Sequence, residues 1–423
     1  MNYPQALDFI NSRQRFGWCL ELSRIKKALT DLKQPQNRYP SVLIAGTNGK
    51  GSVAVMLDTM IRSQGIKTGL YTSPHLYDIR ERIQIDGHII DKDCFAGLVS
   101  RLEESIKDYG CTFFEALTLV AFTAFADNDV DVAILEVGLG GRFDATNVVT
   151  PVLSIISSID WDHTDHLGQS KTEIAAEKAG IIKTESICLA GRTEKEVEMV
   201  IRRKCSDQKT RFYRARDYGY VFALHMSASG SAFQLRTADY REQIRLSLSG
   251  PHQIGNFLIA AAALDLLGKA GLAVSPPQGF TAVQNLYRAG RFEIVSRRPL
   301  VVFDVAHNPG AMRVLAWMLK RFFAGKRRII ILGLLKDKDA DTILSILADC
   351  AEEFYFVPLP TERGLAAETL LEKFISHRGR AHLSESAFKV IQERKNRDAD
   401  ELICITGSHF HAEAVQRIKT LTF

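Results

Sequence analysis

Val42-Leu43-Ile44-Ala45-Gly46-Thr47-Asn48-Gly49-Lys50-Gly51-Ser52-Val53 decides the fold. A short β-branched run stops at a glycine-rich turn, and helical spacing of apolar residues begins at Val53 and continues to Ser63. Strand, loop and helix in that order open a parallel α/β sheet. Successive N–H groups of such a turn can converge on an anion at a helix N-terminus, and Lys50 would add a positive charge there. The usual G-x-x-x-x-G-K-[ST] spacing fails, because Ile44 stands five before Gly49 and Gly51 separates Lys50 from Ser52. The stretch is either a shortened phosphate loop or a plain turn joining strand to helix.

The same texture extends outward. Residues 132–135 and 152–156 look like buried strands, and 114–126 has helical spacing. Residues 184–250 alternate around 222–226 and 233–236 and lack long helical patterns, which predicts a small antiparallel insert. A helix is expected over 256–269 and a linker at 290–300, narrowed to 293–300. Alternation then restarts, with strands at 301–304, 328–332, 353–357 and 402–406. The reading divides the chain into units at 1–292 and 301–423, both α/β with mostly parallel sheets.

The 423 residues carry 54 Lys+Arg against 49 Asp+Glu, a net +5 that occurs in short pairs and not in a stripe. That distribution argues against nucleic acid as a partner. The seven cysteines form no C-x-x-C pair, which excludes a zinc ribbon and fits reduced thiols. The first residues lack the apolar core of a signal peptide, and no apolar run approaches membrane-spanning length. A cytoplasmic protein with no membrane partner is expected.

Several acids and histidines fall at strand ends, where open α/β sheets bind ligands. Glu136 ends one strand and precedes Gly138-Leu139-Gly140-Gly141-Arg142-Phe143-Asp144-Ala145-Thr146-Asn147. A hard cation beside phosphates needs few protein oxygens, so one Glu suffices; a carboxylate satisfied by backbone N–H groups is the alternative. Asp160, Asp162, His163, Asp165 and His166 follow the next strand. They fit a zinc hydrolase site, a single metal-ligating histidine, or loop residues without a metal. Ser170-Lys171-Thr172-Glu173 reads as a capping box, and Lys178 falls in that helix's last turn, where the dipole favours a cation. In the second unit Asp304 ends a strand and His307 follows before Pro309. Asp304 could take a ribose hydroxyl and His307 could face a phosphate.

Together these segments resemble the folylpolyglutamate synthase/dihydrofolate synthase family of Mur-type ATP-dependent amide ligases. The likeness rests on Gly46–Ser52 (GTNGKGS), Thr72-Ser73-Pro74-His75, residues 136–147, 162–168 and 177–181, Gly290-Arg291-Phe292 and residues 304–309. It implies a P-loop-type ATPase domain followed by a Rossmann-like domain. Thr47, Asn48, Gly49, Lys50, Gly51 and Ser52 would hold ATP phosphates, and Asn256, Arg291 and Asp304 would contact the nucleotide. Ser73 and Glu136 would bind one Mg²⁺, and His163 with a carbamylated Lys178 a second. Lys50, Lys178 and His307 would be catalytic. Gly17, Trp18, Cys19, Leu20, Thr112, Phe113, Phe143, Asp144, Ala145 and Thr146 correspond to pterin-substrate positions.

The implied reaction phosphorylates a substrate carboxylate with ATP and gives the acyl group to the amine of L-glutamate. The acceptors would be dihydropteroate and tetrahydrofolates, handled by a monomer. Three rival readings are a cell-wall Mur ligase, a metal-dependent phosphohydrolase built on residues 160–166, and a nucleotide-binding module without turnover. Departures from the family's pattern are Trp18-Cys19-Leu20, Gly333-Leu334-Leu335 and Gly407-Ser408-His409-Phe410.

Overall fold

The structure is a computed structural model that describes residues 1–16, 21–161, 167–375, 377, 379–394 and 400–420. Among these, β1 (Ser41–Ala45), β2 (Thr68–Tyr71), β3 (Ile83–Ile85), β4 (His88–Ile89), β5 (Val132–Glu136), β6 (Leu153–Ile156), β7 (Ile187–Ala190) and β8 (Arg211–Arg214) form one sheet. Its order is β4-β3-β2-β5-β1-β6-β7-β8, parallel except for β3 and β4. The strands β9 (Tyr220–Ser227), β10 (Gly230–Arg236) and β11 (Arg241–Leu246) make a small antiparallel sheet. The remaining strands are β12 (Glu293–Arg297), β13 (Leu300–Asp304), β14 (Arg327–Leu332), β15 (Glu353–Phe356), β16 (Arg380–Leu383) and β17 (Glu401–Thr406). They form the sheet of a second α/β unit in the order β12-β13-β17-β14-β15-β16.

Six helices bear on the argument: α1 (Lys50–Arg62), α2 (Phe113–Asp127), α3 (Lys171–Lys178), α4 (Lys195–Asp207), α5 (Pro251–Lys269) and α6 (Pro309–Phe322). Every residue of β1 is buried, and its side chains alternate between two cores. Leu43 and Ala45 join the cluster containing Leu117 and Phe122 of α2. Val42 and Ile44 join the cluster containing Leu57 of α1 and Phe257 of α5. A strand covered on both faces must be apolar throughout, which is why β1 shows no polar alternation.

Three expectations change. Residues 184–250 are not one insert: β7, α4 and β8 continue the large sheet, and only 220–246 form the antiparallel piece. The stretch expected as a linker contains β12, which pairs antiparallel with β13. The helix expected over 256–269 starts earlier, at Pro251, where proline suits a first turn. Among the described residues no helix is long and apolar enough to cross a membrane.

Candidate active site

Sheet register assembles the first wall. Ile44 lies opposite Glu136 across β1 and β5, so the carboxylate stands beside the turn that leaves β1. Tyr71 lies opposite Leu135 across β2 and β5, which carries Ser73 to the same place. The Ser73 N–H donates to Glu136 Oε2 at 3.0 Å, and Glu136 is buried. On the other side Ala45 lies opposite Ile156, which brings Ser157 and Ser158 against the loop. Both hydroxyls donate to Asn48 O, at 2.8 and 2.9 Å, and the Asn48 N–H donates to Ser158 Oγ at 3.0 Å.

The loop has the form of an anion cradle. Gly49, at φ +87°, is the N-cap of α1, and the first helical bond runs from Val53 N–H to Gly49 O. The amides of Lys50, Gly51 and Ser52 are therefore the orphan donors of the first turn. Positive φ is natural for glycine and strained for other residues. A Cβ on Gly49 would also fall 2.4 Å from Asn256 Oδ1. Asn256 Nδ2 donates to Gln253 Oε1 at 3.0 Å, which fixes that side chain against the loop. Lys50 Nζ folds back to Gly46 O at 2.9 Å and Thr47 O at 3.3 Å. The buried Lys178 Nζ also donates to Gly46 O, at 3.1 Å. Two ammonium groups thus share one carbonyl beside the first turn of α1. Thr47 Oγ1 exchanges hydrogen bonds with the Asp160 backbone, at 3.0 and 3.1 Å, and so is spent on shaping the loop.

The second unit closes the site. Asn308 caps α6, accepting from the Ala311 N–H at 2.9 Å, and Asn308 Nδ2 donates to Asn48 Oδ1 at 3.0 Å. That bond joins two helix N-termini, each favourable to anions. Asp304 accepts from the N–H groups of Phe292 and Ala306, both at 2.8 Å. Burial raises its carboxyl above the usual range, while Arg291 pulls it back. His307 Nδ1 lies 2.8 Å from Val305 O; a carbonyl only accepts, so Nδ1 carries the proton.

A third group gathers residues of both units. Arg82 Nε donates to His75 Nδ1 at 2.9 Å, and its guanidinium lies 5.4 Å from the centre of the Phe113 ring. His75 is pushed down to about 4 by burial, with Arg82 acting in the same direction. His409 is held at about 3 by burial first, then by His307, His75, Arg82 and Arg363. Histidines and arginines from both units therefore feel one another; near pH 7 His75 and His409 stay neutral, and the guanidinium of Arg82 carries the positive charge.

The expected substrate positions divide. Asp144 spends its carboxylate on its own loop: Oδ2 accepts from Gly138 and Leu139 N–H, Oδ1 from Thr146 N–H, all at 3.0 Å. Ala145 and Thr146 are buried beneath it, whereas Phe143 is 41% exposed. Arg142 pairs with Glu177 at 3.5 Å, not with Asp144. Thr112 caps α2 through a reciprocal box with Glu115. Ser170 caps α3 as expected, but Glu173 takes the Gln169 N–H at 2.6 Å in place of the reciprocal bond. Gly17, Trp18, Cys19 and Leu20, together with His163 and the rest of 162–166, lie outside the described residues. Sequence reading missed Arg82, His409 as a lining residue, Asn308 and the serine clamp of Ser157 and Ser158. Arg82 sits in the charged run Arg80-Glu81-Arg82, which reads as a solvated face.

Residues 44–264 match the Mur ligase middle domain and 290–409 the Mur ligase glutamate ligase domain. The dihydrofolate synthase/folylpolyglutamate synthase of Bacillus subtilis (strain 168) is 33% identical over 99% of this chain and 99% of its own length. A Mycobacterium tuberculosis folylpolyglutamate synthase complexed with ADP and AMPPCP superposes with a TM-score of 0.91, at 30% identity, covering 100% of both chains. E. coli FolC in complex with DHPP and ADP superposes at 0.88, with 30% identity over 99% of this chain and 97% of its own. The chain belongs to the dihydrofolate synthase/folylpolyglutamate synthase family of Mur ligases and is an ATP-dependent ligase.

Proposed function

We propose that this chain joins L-glutamate to dihydropteroate and to tetrahydrofolates, working as a cytoplasmic monomer without nucleic-acid or membrane partners. The observation that carries the reading is the register-enforced meeting of the Gly46–Ser52 loop with the Ser73–Glu136 pair. Residues 47–52 hold the ATP phosphates. Lys50 exchanges its carbonyl partners for a phosphate oxygen when ATP arrives. Asn256, Arg291 and Asp304 contact the nucleotide. The γ-phosphoryl passes to the substrate carboxylate, ADP leaves, the glutamate amine attacks the acyl carbon, and phosphate departs with one former carboxylate oxygen. Arg82 balances anionic charge, the neutral His75 and His409 offer hydrogen bonds, and closure of the units over Asn48 and Asn308 excludes water from the acyl phosphate. Phe143, Phe113 and the loop held by Asp144, Ala145 and Thr146 form the pterin side, with Thr112 beside Phe113; the family resemblance also assigns Gly17, Trp18, Cys19 and Leu20, which lie outside the described residues, to pterin binding.

The Ser73–Glu136 pair fits Mg²⁺: Glu136 commits one oxygen to a backbone N–H, and a phosphate-bound magnesium needs few protein ligands. Magnesium would neutralise phosphate charge there. A second magnesium would use His163 and Lys178; an ammonium cannot ligate a metal, so Lys178 would serve as a carbamate. ADP release, measured with dihydropteroate, with tetrahydrofolate, and with glutamate omitted in turn, tests the function. Release that needs both acid and amine supports a ligase. Equal release without glutamate would instead favour a phosphohydrolase.

A further inference from the structure

Arg288 has no place in the roles above, yet its guanidinium lies on the first turn of α1. A Cβ built on Gly51 would fall 2.0 Å from Nη2, 2.7 Å from Nη1 and 2.8 Å from Cζ. A side chain at position 51 would have to displace the end of Arg288. Nη1 is buried and has no hydrogen-bond partner. Among the described residues no carboxylate pairs with this guanidinium within ion-pair distance. Burial pulls it down to about 10, Arg291 pushes the same way, and Glu136 opposes them. Leaving a buried charged donor unmade is costly, and proteins normally satisfy such a group. A guanidinium of this kind, beside amides that a helix leaves unbonded, suits the planar forked recognition of a phosphate.

We infer that Arg288 is a polyphosphate ligand of this enzyme, donating from Nη1 to a non-bridging oxygen of ATP beside Gly51. The inference rests on the ATP-site reading proposed above and adds a contact to it. Lys50 reaches back along the loop to Gly46, while Arg288 covers the first turn of α1, so the two cations approach the phosphates from different places. A structural counterion for Glu136 is the competing role, and it would not discriminate between nucleotides.

The test measures the affinity of AMPPCP by calorimetry and of adenosine by displacement, with magnesium present throughout, for the full chain and for Arg288→Leu and Arg288→Lys. A charge-assisted hydrogen bond predicts that Arg288→Leu weakens AMPPCP about ten- to a hundredfold and leaves adenosine unchanged. Arg288→Lys should recover part of the loss and fold even if the leucine variant does not. Variants that bind AMPPCP like the unsubstituted protein, or lose AMPPCP and adenosine equally, would overturn the assignment while leaving the loop reading intact. Failure of the unsubstituted protein to bind AMPPCP would overturn both.

Discussion

Gly49→Ala perturbs the phosphate loop in two separable ways. Gly49 has φ +87°, a conformation that costs an L-residue about 1–2 kcal/mol. The new Cβ would also lie 2.4 Å from Asn256 Oδ1. Asn256 is buried and bonded to Gln253 at 3.0 Å, so moving it forfeits a bond worth about 0.5–1.5 kcal/mol. The sum is roughly 2–3 kcal/mol, a fall of about 3–5 °C in melting temperature for a unit of this size. Calorimetry of Gly49→Ala, Asn256→Ala and the double variant separates the terms. With Asn256 truncated the contact vanishes and only the backbone cost remains, so the double variant should be more stable than the summed effects by about 1 kcal/mol. ADP affinity should fall in Gly49→Ala, because the amides of α1 would no longer converge. Full stability with full ADP affinity would refute the loop geometry.

Other variants probe different parts. Arg394 is buried and bonds Glu353 and Glu401, the latter at 2.9 Å, while Arg327 bonds the same two carboxylates from the other side, so Arg394→Met should cost about 1.5–3 kcal/mol, the charge-assisted bonds lost, with both acids still paired. Thermal unfolding within 1 kcal/mol of the parent would contradict that. His411 is 3% exposed and burial holds it at about 4, so the folded state resists its protonation. Its contribution is complete above about pH 6.5 and is lost as pH falls toward 4, about 3 kcal/mol in all. His411→Phe should flatten the melting profile over that window, and an unchanged slope would count against burial as the cause. Lys178→Ala should lower turnover severely, with partial recovery in short carboxylic acids if a carbamate is the working form. Undiminished turnover would remove Lys178 from the site.

The strand–loop–helix opening and the strand-end acids were legible because a buried strand is apolar throughout and stops at glycine or acid. Ser73 could be paired with Glu136 only through the family resemblance and not from spacing, since 63 residues separate them and the β2–β5 register joins them. The helix α4 was hidden because its buried residues Val197, Ile201 and Cys205 make one narrow stripe among charges. Strand β12 was hidden by Arg297-Arg298-Pro299, which punctuates like a linker but turns a hairpin. Arg82 and Arg288 look like surface charges in one dimension; packing alone buries Arg82 and the Nη1 atom of Arg288.

Oxygen tracing tests the central claim most directly. Substrate labelled with ¹⁸O in its carboxylate should yield one labelled oxygen in the released phosphate, because that oxygen bridges carbon and phosphorus in the acyl phosphate. Unlabelled phosphate released alongside full amide product would contradict activation of the carboxylate by ATP.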